Sequence, residues 1–173
     1  MNQKTAMKLF GLLGLLMLLS CGYADRHRNS SLCEQALVDS LEVRVQDSLF
    51  SNVHYSRSQL LEALTQTQDS LVYYRLLALY GKTFFVSSDF DSILYYNRRV
   101  KEFSRNASQS SESLQSPRWN DVLSDVYNIE GNVWMQLNRP DSAIIDYKKA
   151  YGYRLEGKKL HLLPDICINI ADA

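Results

Sequence analysis

The chain has 173 residues, enough for one domain with a buried core. Its 19 basic and 19 acidic residues cancel, and the basic ones form no dense block. That argues against nucleic-acid binding, which needs a positive surface to displace counterions. Glycine (7) and proline (3) are scarce and tyrosine (11) is common, a balance that fits long packed helices better than a turn-rich β fold.

Residues 1–20 read as a targeting segment. Lys4 and Lys8 give a positive start, and Leu9 to Leu19 form an apolar run of about a dozen residues, too short to span a bilayer comfortably as a mature helix. Leu18-Leu19-Ser20-Cys21 follows, and it resembles a bacterial lipobox. The resemblance implies that Cys21 receives a diacylglycerol and becomes the first mature residue. Buried acyl methylenes are worth about 0.8 kcal/mol each, so several chains anchor firmly. An ordinary secretory signal with an incidental cysteine, or a retained membrane segment, are the alternatives. Gly22, rather than Asp, follows the cysteine. The expected location is the cell envelope, as a periplasmic or outer-membrane lipoprotein. Cys33 and Cys167 match no metal-ligand spacing and are expected as two separate buried thiols, with a disulfide as the alternative.

Residues 21–30 are polar and basic and read as a tether. Residues 31–68 read as a degenerate helical pair. Ser30 or Ser31 caps a first helix running to about Phe50, with Leu37, Leu41, Val45 and Leu49 at four-residue steps. A break falls at Ser51 to Tyr55, and a second helix begins near Ser58 with Leu60, Leu61 and Leu64 apolar. A stronger segment spans 69–105, with Gly81, Phe84, Ile93, Asn97 and Val100 at regular intervals around a turn at Ser87 to Asp89. Residues 106–118 are Ser-rich and read as a polar loop. Residues 119–157 carry Tyr127, Gly131, Trp134, Ala143, Tyr147 and Ala150, with Gly157 as the helix stop. Residues 158–173 read as the first helix of an incomplete repeat, with Pro164 in its first turn.

The spacing from Tyr127 to Ala150 resembles a tetratricopeptide repeat (TPR). Small residues stand where two antiparallel helices cross, and large ones fill the wedge between them. Gly81 and Phe84 fit the same pattern in the earlier segment. There Ile93 and Val100 replace alanines, so that pair is expected to pack further apart, and Asn97 replaces an aromatic. Phe90-Asp91-Ser92-Ile93 and Pro140-Asp141-Ser142-Ala143 occupy the same turn-to-helix junction, which strengthens the case for repetition. The repeat starts lie 50 residues apart, from Tyr74 to Ser124, against about 34 in the family. The expected fold is therefore all-α, a tetratricopeptide-type helix-turn-helix solenoid truncated at its C-terminus. The apolar face of Ile166 and Ile170 is expected to lie open and to permit self-association.

The resemblance also implies a concave groove lined by Arg75, Lys82 and Phe85 in one repeat and Asn128, Asn132 and Met135 in the next. Gly131-Asn132 resembles the pair whose amide grips a peptide backbone in peptide-binding members, since an amide donates and accepts together. Asn128 stands where carboxylate-clamping members have Lys, which puts carboxylate clamping in doubt. No HExxH, phosphate loop or GxSxG motif occurs, and His27, His54 and His161 are isolated from one another. No enzyme, metal or cofactor is expected. Asp-Ser-aliphatic triplets place Ser40, Ser48, Ser70, Ser92 and Ser142 in what resembles an O-glycosylation signal of exported Bacteroidetes proteins. Helix capping by Asp and Ser is the competing explanation.

The leading functional expectation is a non-catalytic scaffold at the envelope that binds a protein or peptide. Exported repeat arrays of this type also form the sensory half of histidine kinases or transcriptional regulators, which is the alternative. Glycan-uptake lipoproteins combine the same elements, but the large aromatic insertions that bind sugar in them are missing here.

Overall fold

A computed structural model describes residues 33–47, 51–107 and 116–173. The expected targeting segment and tether, Cys21, Ser48 and the middle of the Ser-rich stretch lie outside the described residues. The chain divides into two units, residues 1–40 and 41–173. Of the first, residues 33–40 are described, and they are helical. The rest of this section concerns the second unit unless stated otherwise.

All regular structure among the described residues is helical. Helix α1 covers residues 33–47. It is followed by α2 (Val53–Gln66), α3 (Ser70–Lys82), a 3-10 turn (Thr83–Ser87) and α4 (Phe90–Ala107). Then come α5 (Pro117–Gln136), α6 (Pro140–Leu155), a 3-10 turn (Leu160–Leu162) and α7 (Leu163–Asp172). From α2 onward each helix packs on the next, and α3 also touches α5.

Local chemistry sets the helix starts. Asn52 caps α2 by accepting from the Tyr55 amide at 3.1 Å, so the helix begins five residues ahead of the expected start at Ser58. The short polar break is itself the cap. Asp69 caps α3 by accepting from the amides of Leu71 and Val72. Ser116 caps α5, and Pro117 takes its first turn, where a missing N–H costs nothing. In α2 the buried residues include Leu60 and Ala63, while Leu61 is exposed. In α1, Leu41 and Val45 are buried as expected. In the first unit, Val38 rather than Leu37 is the buried residue.

The hairpins α3–α4 and α5–α6 repeat each other in detail. Ser88 and Asn138, 50 residues apart in sequence, both adopt the left-handed conformation, with φ of 53° and 57°. In both turns the next amide reaches five residues back, from Asp89 to the Phe84 carbonyl at 3.1 Å and from Arg139 to the Trp134 carbonyl at 2.8 Å. This double closure satisfies carbonyls that the helix end leaves without partners. Asn tolerates the left-handed region better than most residues, and Ser88 is the less usual occupant.

The close approach at the signature glycine differs in kind between the two hairpins. A Cβ built on Gly131 would fall 2.9 Å from Tyr147 Cζ and nearer still to Cε1 and Cδ1. A Cβ on Gly81 would stand 3.0 Å from Tyr96 Cβ, so there the close neighbour is the base of the aromatic side chain rather than its ring. The aromatic opposite Gly81 is Tyr96, one residue before Asn97. Tyr96 stacks with Phe84 at a centroid distance of 5.6 Å. Asn97 is fully buried and donates from Nδ2 to the Val126 carbonyl, tying α4 to α5. Ile93 and Val100 are also fully buried, as are Ala143 and Ala150 on α6, with Tyr147 nearly so.

The core between the hairpins is built on Leu77, Val100, Trp119, Leu123 and Val126. A second cluster joins Ile93, Ile129 and Val133. Full burial of each aliphatic side chain contributes about 1.5–3 kcal/mol. Trp119, ahead of the repeat start, donates from its indole to Ser104 Oγ at 3.1 Å.

Two expectations are corrected, and a third is refined. Gly157 follows the end of α6 as expected, without a positive φ. It is small because a Cβ there would meet the Asp121 carboxylate, 2.9 Å from Cγ. Ile166 is not open at the C-terminal end: it is buried where α7 packs on α6, and Ile168 is the exposed residue. Cys33 and Cys167, expected to be buried, are both free and exposed.

Candidate functional site

The residues expected to line a groove are placed by α3, α5 and the turns after them. Arg75 and Lys82 are seven residues apart on α3 and share one stripe of it. Arg75 is 7% exposed. Glu42, on the last turns of α1, lies 3.9 Å from Arg75 Nη2 and also pairs with Lys159, in the segment after α6. One carboxylate thus bridges α3 and the chain beyond α6, with the buried Leu41 and Val45 on the same turns. Lys82 is half-buried at the end of α3.

Phe85 is not on α3. It stands in the following 3-10 turn, packs beside the Ile93, Ile129 and Val133 cluster, and meets the Phe90 ring at 6.4 Å. Its ring therefore adds to the core margin. Met135 is half-buried near the end of α5.

Both amides on α5 have partners from the chain itself. Asn128 Oδ1 accepts from Asn169 Nδ2 of α7 at 3.0 Å, and Asn132 Oδ1 accepts from the Tyr147 hydroxyl at 2.8 Å. Burial, with the Asp172 carboxylate adding to it, pushes the Tyr147 phenol up to about 12. The hydroxyl therefore keeps its proton and remains a donor to Asn132 at neutral pH. The Nδ2 groups remain the donors that these two side chains can offer.

The signature residues hold this frame. Tyr127 stacks on Tyr153 at 5.7 Å and 6°. The Trp134 indole donates to Asp146 at 2.8 Å. Phe84 lies under the Arg57 guanidinium, 4.0 Å from its centroid.

Sequence reasoning missed one buried polar network. Arg154 is 1% exposed and donates to Asp121 at 2.8 Å and also to Asp125. Asp121 further accepts from the amides of Lys158 and Lys159, at 3.0 and 3.1 Å. The ion pair thereby fixes the segment from which Lys159 reaches Glu42. An Arg and an Asp 33 residues apart leave no local signature, so only a pairing across α5 and α6 could reveal it.

The five serines occupy different settings. Ser40, in the first unit, is exposed inside α1 rather than at a helix start, and its hydroxyl donates to the Leu37 carbonyl. Ser70 is exposed in the first turn of α3, and Ser142 is half-buried in that of α6. The Ser92 hydroxyl donates to Asp89 at 2.7 Å.

His54 and His161 are both exposed, and no group of metal-ligating side chains occurs among the described residues. Among those residues no helix is long and apolar enough to cross a membrane. No family model, curated protein or solved structure matches the chain.

Proposed function

We propose that this chain is a non-catalytic scaffold of tetratricopeptide type, held at the bacterial cell envelope by acylated Cys21, which binds a polypeptide on the face shared by α3 and α5. Two hairpins with the same left-handed turn, the same backbone closure and the same small-against-aromatic contact support the repeat reading.

The observation that carries the binding reading is the placement of Glu42. The last turns of α1 carry two buried aliphatic residues, Leu41 and Val45, and the Glu42 carboxylate, which meets Arg75 and Lys159. A helical segment with an acidic residue is thus already paired with the α3 side of this face, through Arg75. A partner of the same chemistry would exchange for those turns, using apolar contacts for affinity and the two cations for register. Asn128 and Asn132 add amide donors from α5.

Site-specific photo-crosslinking in cells tests the proposal. A photoreactive residue at Lys82 or Met135 should give a discrete polypeptide adduct, and one at the exposed Ile145 should not. No adduct at either face position, or equal adducts at Ile145, would contradict it.

A further inference from the structure

A different part of the same unit carries a second site. Between α4, α5 and α6 lies a cavity of about 310 Å³, walled by Arg98, Lys101, Arg105, Lys149, Tyr127 and Tyr153. The three cations of α4 recur at three- and four-residue steps and so share one stripe of that helix. Lys149 closes in from α6. None of these residues is among those of the polypeptide-binding face, so the inference does not rest on that reading.

The arrangement of charge is unusual. The ammonium groups of Lys101 and Lys149 stand 5.1 and 5.0 Å from the centroid of one ring, Tyr127. Each also meets a carboxylate, Glu130 at 2.6 Å and Asp146 at 3.0 Å. The ring and the carboxylates hold the two ammonium groups in place beforehand, and Arg98 adds a further positive charge to the same wall. Arg98 is exposed and makes no ion pair with a described residue. Its planar fork suits a tetrahedral oxyanion. Ser104 supplies a hydroxyl at the wall and Leu123 an apolar patch. The Tyr127–Tyr153 stack, with its rings parallel to within 6°, offers an edge of ring surface to a small organic body beside the anion.

We infer that this cavity binds a small phosphate monoester, its phosphoryl group between Arg98, Lys101 and Lys149 and its organic body against the tyrosine pair. Charge and shape divide the work. The cations recognise the dianion, and the tyrosines separate an ester from inorganic phosphate. Binding should weaken steeply as salt rises, because the cations are partly exposed.

Calorimetric titration of the full mature chain with glucose 6-phosphate, inorganic phosphate and glucose tests this. The expected result is saturable binding of the sugar phosphate, at least tenfold weaker binding of inorganic phosphate, and none of glucose. The double variant Arg98→Ala/Lys149→Ala should lower sugar phosphate affinity at least tenfold. Both positions are exposed, so unchanged thermal melting of that variant separates lost binding from lost folding. No saturable binding, or binding that the variant retains, would overturn the site. Equal affinity for inorganic phosphate would overturn its assignment to an ester.

Discussion

Replacing Gly131 by alanine asks whether the close helix crossing is built on the missing Cβ. The new methyl would fall within 3 Å of three atoms of the Tyr147 ring, which is 2% exposed and bonded through its hydroxyl to Asn132. Moving a packed ring costs about 1–3 kcal/mol. Losing the Tyr147–Asn132 hydrogen bond adds about 0.5–1.5 kcal/mol. The gain from alanine over glycine inside a helix returns about 1 kcal/mol. The net loss is about 2 kcal/mol. Gly152 provides the control within α6, because nothing lies within 4 Å of a Cβ built there. Gly152→Ala should therefore stabilise by up to about 1 kcal/mol. The same chemical change thus takes opposite signs at two glycines. Urea unfolding followed by far-ultraviolet circular dichroism measures both. In a Tyr147→Ala background, Gly131→Ala should lose most of its cost, since the obstructing ring is gone. A Gly131→Ala variant as stable as Gly152→Ala would refute the reasoning.

Asp121→Ala should destabilise by about 3–5 kcal/mol, because it strips the buried Arg154 of one partner and two amides of their acceptor. A loss below about 1 kcal/mol in chemical denaturation would show that the pair contributes little. Burial pushes the Glu130 carboxyl above its usual range, with Lys101 opposing the rise. A raised folded pKa means that the native state holds this proton more tightly. The contribution is therefore full below the unfolded value of 4.5 and is lost as pH rises through the folded one. The stability of the parent relative to Glu130→Gln should accordingly fall between pH 4.5 and neutrality, and a relative rise in urea midpoints would contradict the sign. Cys21→Ser should abolish incorporation of an alkynyl fatty acid in cells, and persistent labelling of that variant would remove the lipid anchor.

What the sequence made legible was steric. Gly131, Ala143, Tyr147 and Ala150 are small or large for reasons that act between helices adjacent in the chain, and their spacing alone exposes the α5–α6 hairpin. The α3–α4 hairpin was readable through Gly81 and Phe84. Its missing aromatic stands one residue early, at Tyr96, which packs on Phe84, while Asn97 bonds to α5. The start of α5 was hidden by the Ser-rich stretch before it. Ser116 and Pro117 form a good cap, yet they resemble the end of a polar loop until Trp119 is seen to be buried.

The candidate face was less legible, since its partners come from distant segments. Arg75 was expected to be open, and Glu42 covers it from 33 residues upstream. Asn128 and Asn132 fall on the expected helix, but Asn169 and Tyr147 meet them. Phe85 was displaced from the face because the chain tightens into a 3-10 turn at Thr83, whose hydroxyl donates to the Tyr80 carbonyl at 2.7 Å. Periodicity continues α3 through that point, while the backbone does not.

The most direct test of a polypeptide-binding face is the fluorescence anisotropy of a labelled peptide copying residues 36–50. It would be titrated with a chain in which Leu41→Asp and Val45→Asp have dislodged the resident turns. Saturable binding that falls at least tenfold on adding Arg75→Glu is the expected result. Absence of binding, or binding indifferent to the charge at position 75, would contradict the proposed function.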